Sequence, residues 1–371
     1  MPDVVVIGGG VIGLLSAWRL AQAGLSVELF EKGRPGAESS AAAIGVLFPT
    51  ATPQSPPEYL KLTQASLALF PALAEELRAI SNVDIELRDE GLIMTALDEA
   101  DEKTLEEELR IQRAASVPVR VLTARGTRDL EPALGDPVRG GLYFPMALQV
   151  DNVRLCSGLA LSAARAGAKI RAGQMVTRVI HEGGRVHGVE VDHEQHSARW
   201  VVMAAGSWSG TVEGVSLPVR PAKGQALALE APLVISHILD SPSGYLVPRL
   251  DGRLLVGATV EETGFDRRVT AEAVRELLSS AIRLMPALKE ATVRECWAGL
   301  RPRSLDDLPV LGPVAGCEGL IAATGHFRNG ILLAPITAQL VAGWVLGRPP
   351  EVDVERFSPN RFALISQIKM L

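Results

Sequence analysis

The chain has 371 residues, long for a single core, and its 47% hydrophobic and 22% charged content is that of a globular protein, so disorder and fibrous repeats are excluded and two domains are expected. Thirty-seven Lys+Arg against 43 Asp+Glu give a formal charge of −6, which supplies no basic field for a nucleic-acid partner. Cys156, Cys296 and Cys317 are too scattered for a disulfide scaffold or a zinc cluster, and they suit a reducing, cytoplasmic setting.

Val4 to Ile7 is a β-branched apolar run suited to a strand buried on both faces. Gly8, Gly10 and Gly13 follow, then Leu14 to Ala23 at helical spacing with a stop at Gly24, and a second strand, Val27 to Phe30, delivers Glu31. This is a βαβ unit. Residues 58–80 and 99–115 read as helices, Gly91 to Thr95 as a strand, and 153–166 as another helix. The acidic run Asp98 to Glu108 reads as the wet face of its helix. Short alternating strands fill 175–205, broken at Gly183-Gly184. Asp251-Gly252 marks a hairpin turn between Tyr245–Arg249 and Arg253–Thr259. A helix at 270–284 and a strand at Leu320 to Ala323 lead into a long final helix. The uncharged run Gly330 to Gly347 contains Pro335, Thr337 and Gln339, and is expected to be a buried helix and no membrane span. The apolar N-terminus lacks a positive leader region, so no secretion signal is expected.

The chemistry begins with GxGxxG between a strand and a helix. Gly8 allows the tight turn, Gly10 lets the backbone approach a pyrophosphate, and Gly13 lets helix and strand pack closely. The helix N-terminus offers N–H groups and a positive dipole end to phosphates. Glu31, 18 residues after Gly13, is placed to accept hydrogen bonds from a ribose and repels a 2′-phosphate, which argues against NADP. With no second GxGxxG and no CxxC, one dinucleotide must do the chemistry. His181, His187, His193 and His196 lie among acidic residues without metal-ligand spacing, so a solvated β surface is expected and no metal.

Seven segments carry a wider resemblance: VVVIGGGVIG, ESSAAAIG, VVMAAGSWSG, PAKGQAL, GYLVPRLDGRLLVGAT, CWAGLRPRSLDDLPVLGP and ATGHFRNGILLAPITAQL, spread from residue 4 to residue 340. The chain resembles the D-amino-acid oxidase family of FAD proteins, and within it most resembles the bacterial glycine oxidases. The resemblance implies an α/β fold with a doubly wound, Rossmann-like FAD-binding domain from residues 1–80, 146–217 and 297–371. A second α+β substrate domain with an antiparallel sheet would come from 81–145 and 218–296. It implies a small amino-acid substrate, O2 as electron acceptor, and a homo-oligomer as a possible assembly.

By the same resemblance Arg301, in GLRPR, grips the substrate carboxylate, which a planar guanidinium fork suits. Its alternative role is to tie loop carbonyls together beside Pro302. Tyr245 would line the substrate pocket, the alternative being a half-buried strand tyrosine. Arg328 would sit near the substrate end of the flavin, the alternative being a cap or ion pair on the last helix. FAD contacts are implied for Gly8, Gly10, Val11, Ile12 and Gly13, for Glu31, Lys32, Ser39, Ser40, Ala43 and Ile44, and for Val176, Gly206, Trp208 and Arg301. His326, Phe327, Arg328, Asn329, Gly330 and Ile331 complete that set. The last helix would aim its N-terminus at the flavin's pyrimidine edge, with Gly330 making the sharp turn and Pro335 in its first turn.

In the related sarcosine oxidases the cysteine that attaches FAD stands where this chain has Leu300-Arg301. Cys296 is out of register, so FAD is expected to be non-covalent and Cys296 a core thiol. Ile44 to Phe48 departs from the small, glycine-rich run of glycine oxidases, and Val260 stands where some carry methionine. Glycine, sarcosine, small D-amino acids and cyclic imino acids all remain open as substrates. The rival reading is an FAD-dependent dehydrogenase subunit that passes electrons to a partner or quinone. A non-catalytic FAD module is disfavoured by the coincidence of Arg301 and Tyr245, and a flavin hydroxylase by the lack of Gly-Asp followed by Ala-His.

Overall fold

The computed structural model describes residues 1–362 except 232–234 and 243, so the expected FAD-binding stretch 363–371 lies outside the described residues. Six strands form one sheet in the order Val310–Pro313, Leu320–Thr324, Trp200–Met203, Val4–Ile7, Val27–Glu31, Lys169–Ala172. All neighbours are parallel except the first pair. Because side chains alternate along a strand, Val4 and Val6 enter a core shared with Leu14, Trp18, Leu159 and Val341, whereas Val5 and Ile7 enter another with Val179 and Val189. The first core belongs to the helices Val11–Gln22, Asn152–Arg165 and Gly330–Val345. The second is roofed by a small antiparallel sheet, Val176–Glu182, Arg185–Val191 and Glu194–Ser197. His181, His187 and His193 are exposed on that roof, while His196 packs edge-on against Phe30 at 4.9 Å.

Eight strands form the other large sheet, in the order Thr292–Ser304, Val219–Glu230, Arg253–Gly257, Gly244–Pro248, Ile238–Ser241, Leu92–Ala96, Gly140–Phe144, Arg120–Thr123. Only the contact between Ile238–Ser241 and Leu92–Ala96 is parallel. The expected hairpin is present, with Tyr245 paired to Gly257 and Pro248 to Leu254. One face packs on the helix Ala271–Leu284 through Leu277, Ala281 and Leu284. The opposite face carries Tyr245 and Met94, packed with Ile44 and with Leu105 and Leu109 of the helix Glu99–Ala114.

Four sequence expectations need correction. The boundary at 296/297 falls inside the strand Thr292–Ser304, whose pairing with Val219–Glu230 runs unbroken past it from Cys296↔Leu227 to Ser304↔Val219. That strand also reaches the nucleotide-binding side: Trp297 Nε1 donates to Ala42 O at 3.0 Å, Ser207 Oγ donates to Leu300 O at 2.7 Å, and Arg303 bridges to His326. Cys296 sits on it half-buried, packed against the edge of the core and not inside it. The helix expected at 58–80 is two helices, Pro57–Ala68 and Phe70–Ser81, because Pro71 begins a new helix. The acidic face of Glu99–Ala114 is also not all wet: Asp101 is buried, accepting from Leu97 N–H at 3.0 Å and from Arg283 Nη2 at 2.9 Å.

Pro335 gives the fifth difference. It lies inside Gly330–Val345, beyond the first turn, where a proline removes one ladder donor and crowds the preceding turn. The Ser66 hydroxyl inserts there, donating to Leu332 O at 2.6 Å and accepting from Ile336 N–H at 3.3 Å. A hydroxyl from a neighbouring helix thus satisfies the backbone that the proline opens.

Candidate active site

A cleft of about 420 Å³ runs between the two large sheets. Its nucleotide end is made mostly of backbone. Gly8 has φ +101°, and a Cβ there would lie 2.4 Å from Ala204 O. A Cβ on Gly13 would lie 1.9 Å from Gly8 O, so this glycine serves the packing of turn on helix and is not on the cleft wall. The helix Val11–Gln22 opens on the cleft with no side chain capping it at Gly10, while Val11 N–H donates to Ser40 Oγ at 3.0 Å. Glu31 is buried and its carboxylate is already oriented, accepting from Gly9 N–H at 2.7 Å and Gly33 N–H at 2.8 Å. A turn with no room for side chains, an uncapped helix start and a fixed carboxylate at the strand end together fit a dinucleotide.

Residues far off in sequence hold the turn 39–45 against this end. Asn152 Nδ2 donates to Ser40 O at 2.6 Å, and Arg249 donates to Ile44 O at 2.9 Å and Val150 O at 2.7 Å. Both side chains are buried, and burial holds the Arg249 guanidinium below its ordinary value. Sequence reading missed both, since a lone Asn and a lone Arg carry no spacing signal. At the outer edge Lys32 Nζ stands 3.2 Å over the Trp208 ring, whose other neighbour is Phe265 at 5.5 Å. Arg267 pairs with Glu38 at 2.6 Å, so residues 262–269 arch from the antiparallel sheet to the nucleotide end.

The opposite end is made of side chains. Arg301 lies on the cleft wall, half-buried, and Nη1 donates to Thr259 O at 2.9 Å and more weakly to Lys223 O at 3.4 Å. It therefore does tie backbone carbonyls, yet among the described residues no carboxylate pairs with it. Burial lowers its pKa, with Tyr245 opposing that and Arg328 adding to it. Space for the guanidinium comes from Gly224 on the paired strand, where a Cβ would fall 2.2 Å from Arg301 Nη1. Space for Tyr245 comes from Gly257, where a Cβ would lie 3.0 Å from the tyrosine ring and 2.2 Å from Ile44 Cδ1. The Tyr245 hydroxyl has no hydrogen-bond partner among the described residues, and burial raises its pKa. Arg328 is exposed at the wall and makes no ion pair among the described residues, so it is not the helix-capping residue of the alternative reading.

The cleft thus brings together Gly8, Gly10, Val11, Ile12, Glu31, Lys32, Ser39, Ser40, Ala43, Ile44, Val176, Gly206, Trp208, Tyr245, Arg301, His326, Phe327, Arg328, Gly330 and Ile331. Of the residues singled out from sequence, Gly13 and Asn329 are not on its wall, and Asn329 instead donates to Tyr59 Oη at 2.7 Å. His326 turns its ring away to Thr337 Oγ1 at 3.0 Å, and burial pushes it down to about 3, so it is neutral. The sharp turn before the last helix is made by Gly325 and Phe327, at φ +72° and +47°, and Gly330 is already helical at φ −61°. That helix starts without a side-chain cap, with Gly330 and Ile331 on the wall.

Residues 3–344 match the family described as FAD dependent oxidoreductase. The chain is 37% identical over 363 residues to the glycine oxidase of Pseudomonas putida, covering 96% of this chain and 98% of that one. It superposes on the crystal structure of glycine oxidase from Geobacillus kaustophilus with a TM-score of 0.92 at 36% identity, covering 97% and 98% of the two chains. Against iminodiacetate oxidase from Chelativorans the TM-score is 0.87 at 31% identity, with 96% and 98% covered. The chain belongs to the FAD dependent oxidoreductase family, and its cofactor is FAD. Among the described residues, no helix is long and apolar enough to cross a membrane.

Proposed function

We propose that the protein is an FAD-dependent oxidase of a small amino acid, converting it to the 2-oxo acid with release of ammonia or amine and of hydrogen peroxide. The observation that carries this reading is Arg301: a half-buried guanidinium on the cleft wall that forms no ion pair among the described residues. Leaving such a cation unpaired is costly unless a ligand supplies the anion. The glycine oxidase relatives support an amino-acid carboxylate as that anion.

When bound, FAD would supply a hydride acceptor for Cα and the reductant for O2. The chain's own residues bind and orient. Arg301 would hold the carboxylate through the donors it does not spend on Thr259 and Lys223, and the free Tyr245 hydroxyl would donate to the same group. Gly224 and Gly257 keep both side chains at a fixed depth. Fixing Cα in this way is worth several kcal/mol of a barrier, about 7 to 11 in favourable cases. At the other end Gly8, Gly10, Val11 and Ile12 would take the pyrophosphate and Glu31 the ribose. Lys32, Ser39, Ser40, Ala43, Ile44, Val176, Gly206, Trp208, Phe327, Arg328, Gly330 and Ile331 would line the rest of the cofactor. Cys296 is absent from the cleft wall, which supports non-covalent attachment. The proposed division assigns 1–80, 146–217 and the C-terminal elements to FAD and 81–145 with 218–291 to substrate, with Thr292–Ser304 shared.

A peroxide assay over glycine, sarcosine, small D-amino acids and cyclic imino acids tests the reading, with a flavin spectrum of the same sample. Peroxide with one of these is the expected result. A flavin that no member of the panel reduces without oxygen would overturn it, and a reduced flavin that makes no peroxide would transfer the reading to a dehydrogenase with another acceptor.

A further inference from the structure

One charged side chain beside the cleft-lining Tyr245 has no part in the scheme above. Across the eight-stranded sheet the register aligns Gly257, Tyr245, Asp240, Met94 and Leu142 in a single lateral row. Directly opposed residues present their side chains on the same face, so Asp240 shares the face of its partner Tyr245, which lines the cleft. The rest of that face is apolar: Tyr245, Met94 and Leu142 pack in one cluster with Phe48, Ala226 and Leu109. Asp240 is the only charged member of the row. Like Tyr245 it is half-buried, and it stands directly beside that cleft-lining residue on the same face.

The groups facing Asp240 leave its carboxylate without a cation. Ser241 N–H donates to it from its own strand, Tyr245 faces it from the next, and Glu108 faces it from the helix Glu99–Ala114. Glu108 is itself pushed up by burial and accepts from Gln112 Nε2 at 2.8 Å. Arg328 acts on Asp240 across the cleft, but among the described residues no lysine, arginine or histidine is within ion-pair distance of it. Adjacent strands are about 4.8 Å apart. Asp240 therefore stands one strand beyond the tyrosine that faces the substrate carboxylate, about the reach of a short alkyl chain.

We propose that Asp240 is a specificity-determining residue, selecting amino acids that carry a cationic, hydrogen-bond-donating group at the end of a two-carbon side chain and disfavouring those with a second carboxylate there. The inference rests on the amino-acid oxidase reading and names its substrate class. Burial pushes the Asp240 carboxyl up to about 7. The sign follows: below that value Asp240 is neutral and attracts no cation, and above it the ionised form does, so the preference grows as pH rises through about 7.

The experiment uses the FAD-loaded enzyme with glycine as reference and three substrates of one shape: D-norvaline, D-2,4-diaminobutyrate and D-glutamate. In the wild type kcat/KM for the diaminobutyrate should exceed that for D-norvaline by about tenfold at neutral to mildly alkaline pH. This ratio should fall toward unity in D240N, with D-glutamate gaining, and should also fall in the wild type at about pH 6. The wild-type pH series decides alone if D240N fails to retain FAD. A ratio that D240N and pH leave unchanged would overturn the proposal, as would a wild-type preference for D-norvaline or D-glutamate, or oxidation of glycine with none of the three accepted. A flavin that even glycine and sarcosine fail to reduce would instead strike at the oxidase reading itself.

Discussion

The two ends of the cleft are built on opposite plans. At the nucleotide end one continuous stretch, from Val4 to Glu31, supplies the strand, the side-chain-free turn, the helix start and the carboxylate, and the working groups are mostly backbone. At the other end the proposed working groups are the side chains of Arg301 and Tyr245, from two strands, and the room for each comes from a glycine on another strand. The first plan depends on local conformation. The second depends on strand register, since a slip of one residue would turn Arg301 to the opposite face.

Substitution puts that contrast to the test. The largest effect is expected from Arg301→Ala, which leaves the substrate carboxylate without its partner and should cost about 2 to 5 kcal/mol in kcat/KM, with FAD content unchanged. Arg301→Lys should recover only part of it, since an ammonium lacks the fork. If kinetics in Arg301→Ala match the wild type, the residue has no place in the substrate end. Gly13→Val tests the other end: with Gly8 O only 1.9 Å from the new Cβ, overpacking of about 1 to 3 kcal/mol or more should appear in thermal melts, together with colourless protein. Arg249→Met crosses the contrast, because a residue next to the substrate sheet holds the turn 39–45. Two buried carbonyls lose their donor, about 1 to 3 kcal/mol, and FAD should dissociate faster while KM in the loaded fraction stays close to wild type. A KM change without faster FAD loss would show that Arg249 serves the substrate end. The smallest effect belongs to Tyr245→Phe, about 0.5 to 1.5 kcal/mol, or a several-fold rise in KM. Loss of FAD from that variant would mark the tyrosine as structural.

The nucleotide end was legible because its signal is compact: glycines at fixed offsets between two apolar strands admit few other readings. The hairpin carrying Tyr245 was legible from Asp251-Gly252 and alternation alone. Arg301 became meaningful only through resemblance, since nothing in GLRPR announces that Gly224, 77 positions earlier, makes room for it. Asn152 and Arg249 were invisible for the same reason, as their hydrogen bonds span 112 and 205 positions. The turn before the last helix was placed one glycine too late because Phe327 at positive φ has no sequence signature. Ser66 could not be matched to Pro335 without the packing of two helices.

The shared strand also bears on how the molecule can move. Thr292–Ser304 is laddered to Val219–Glu230 along its length and is tied on its other side to Ala42, Ser207 and His326. A rigid-body hinge between the two sheets would have to tear one of these sets of hydrogen bonds, and the Arg301 site with it. The arch 262–269 is held differently: Glu262 pairs with Arg303 of the shared strand at 2.5 Å, while its outer ties are the half-exposed Phe265 on Trp208 and the solvent-facing Arg267–Glu38 pair. An exposed pair such as Arg267–Glu38 is worth about 1 kcal/mol or less, so the outer half of the arch is far more lightly held than the shared strand that ties Arg301 to the cofactor cradle.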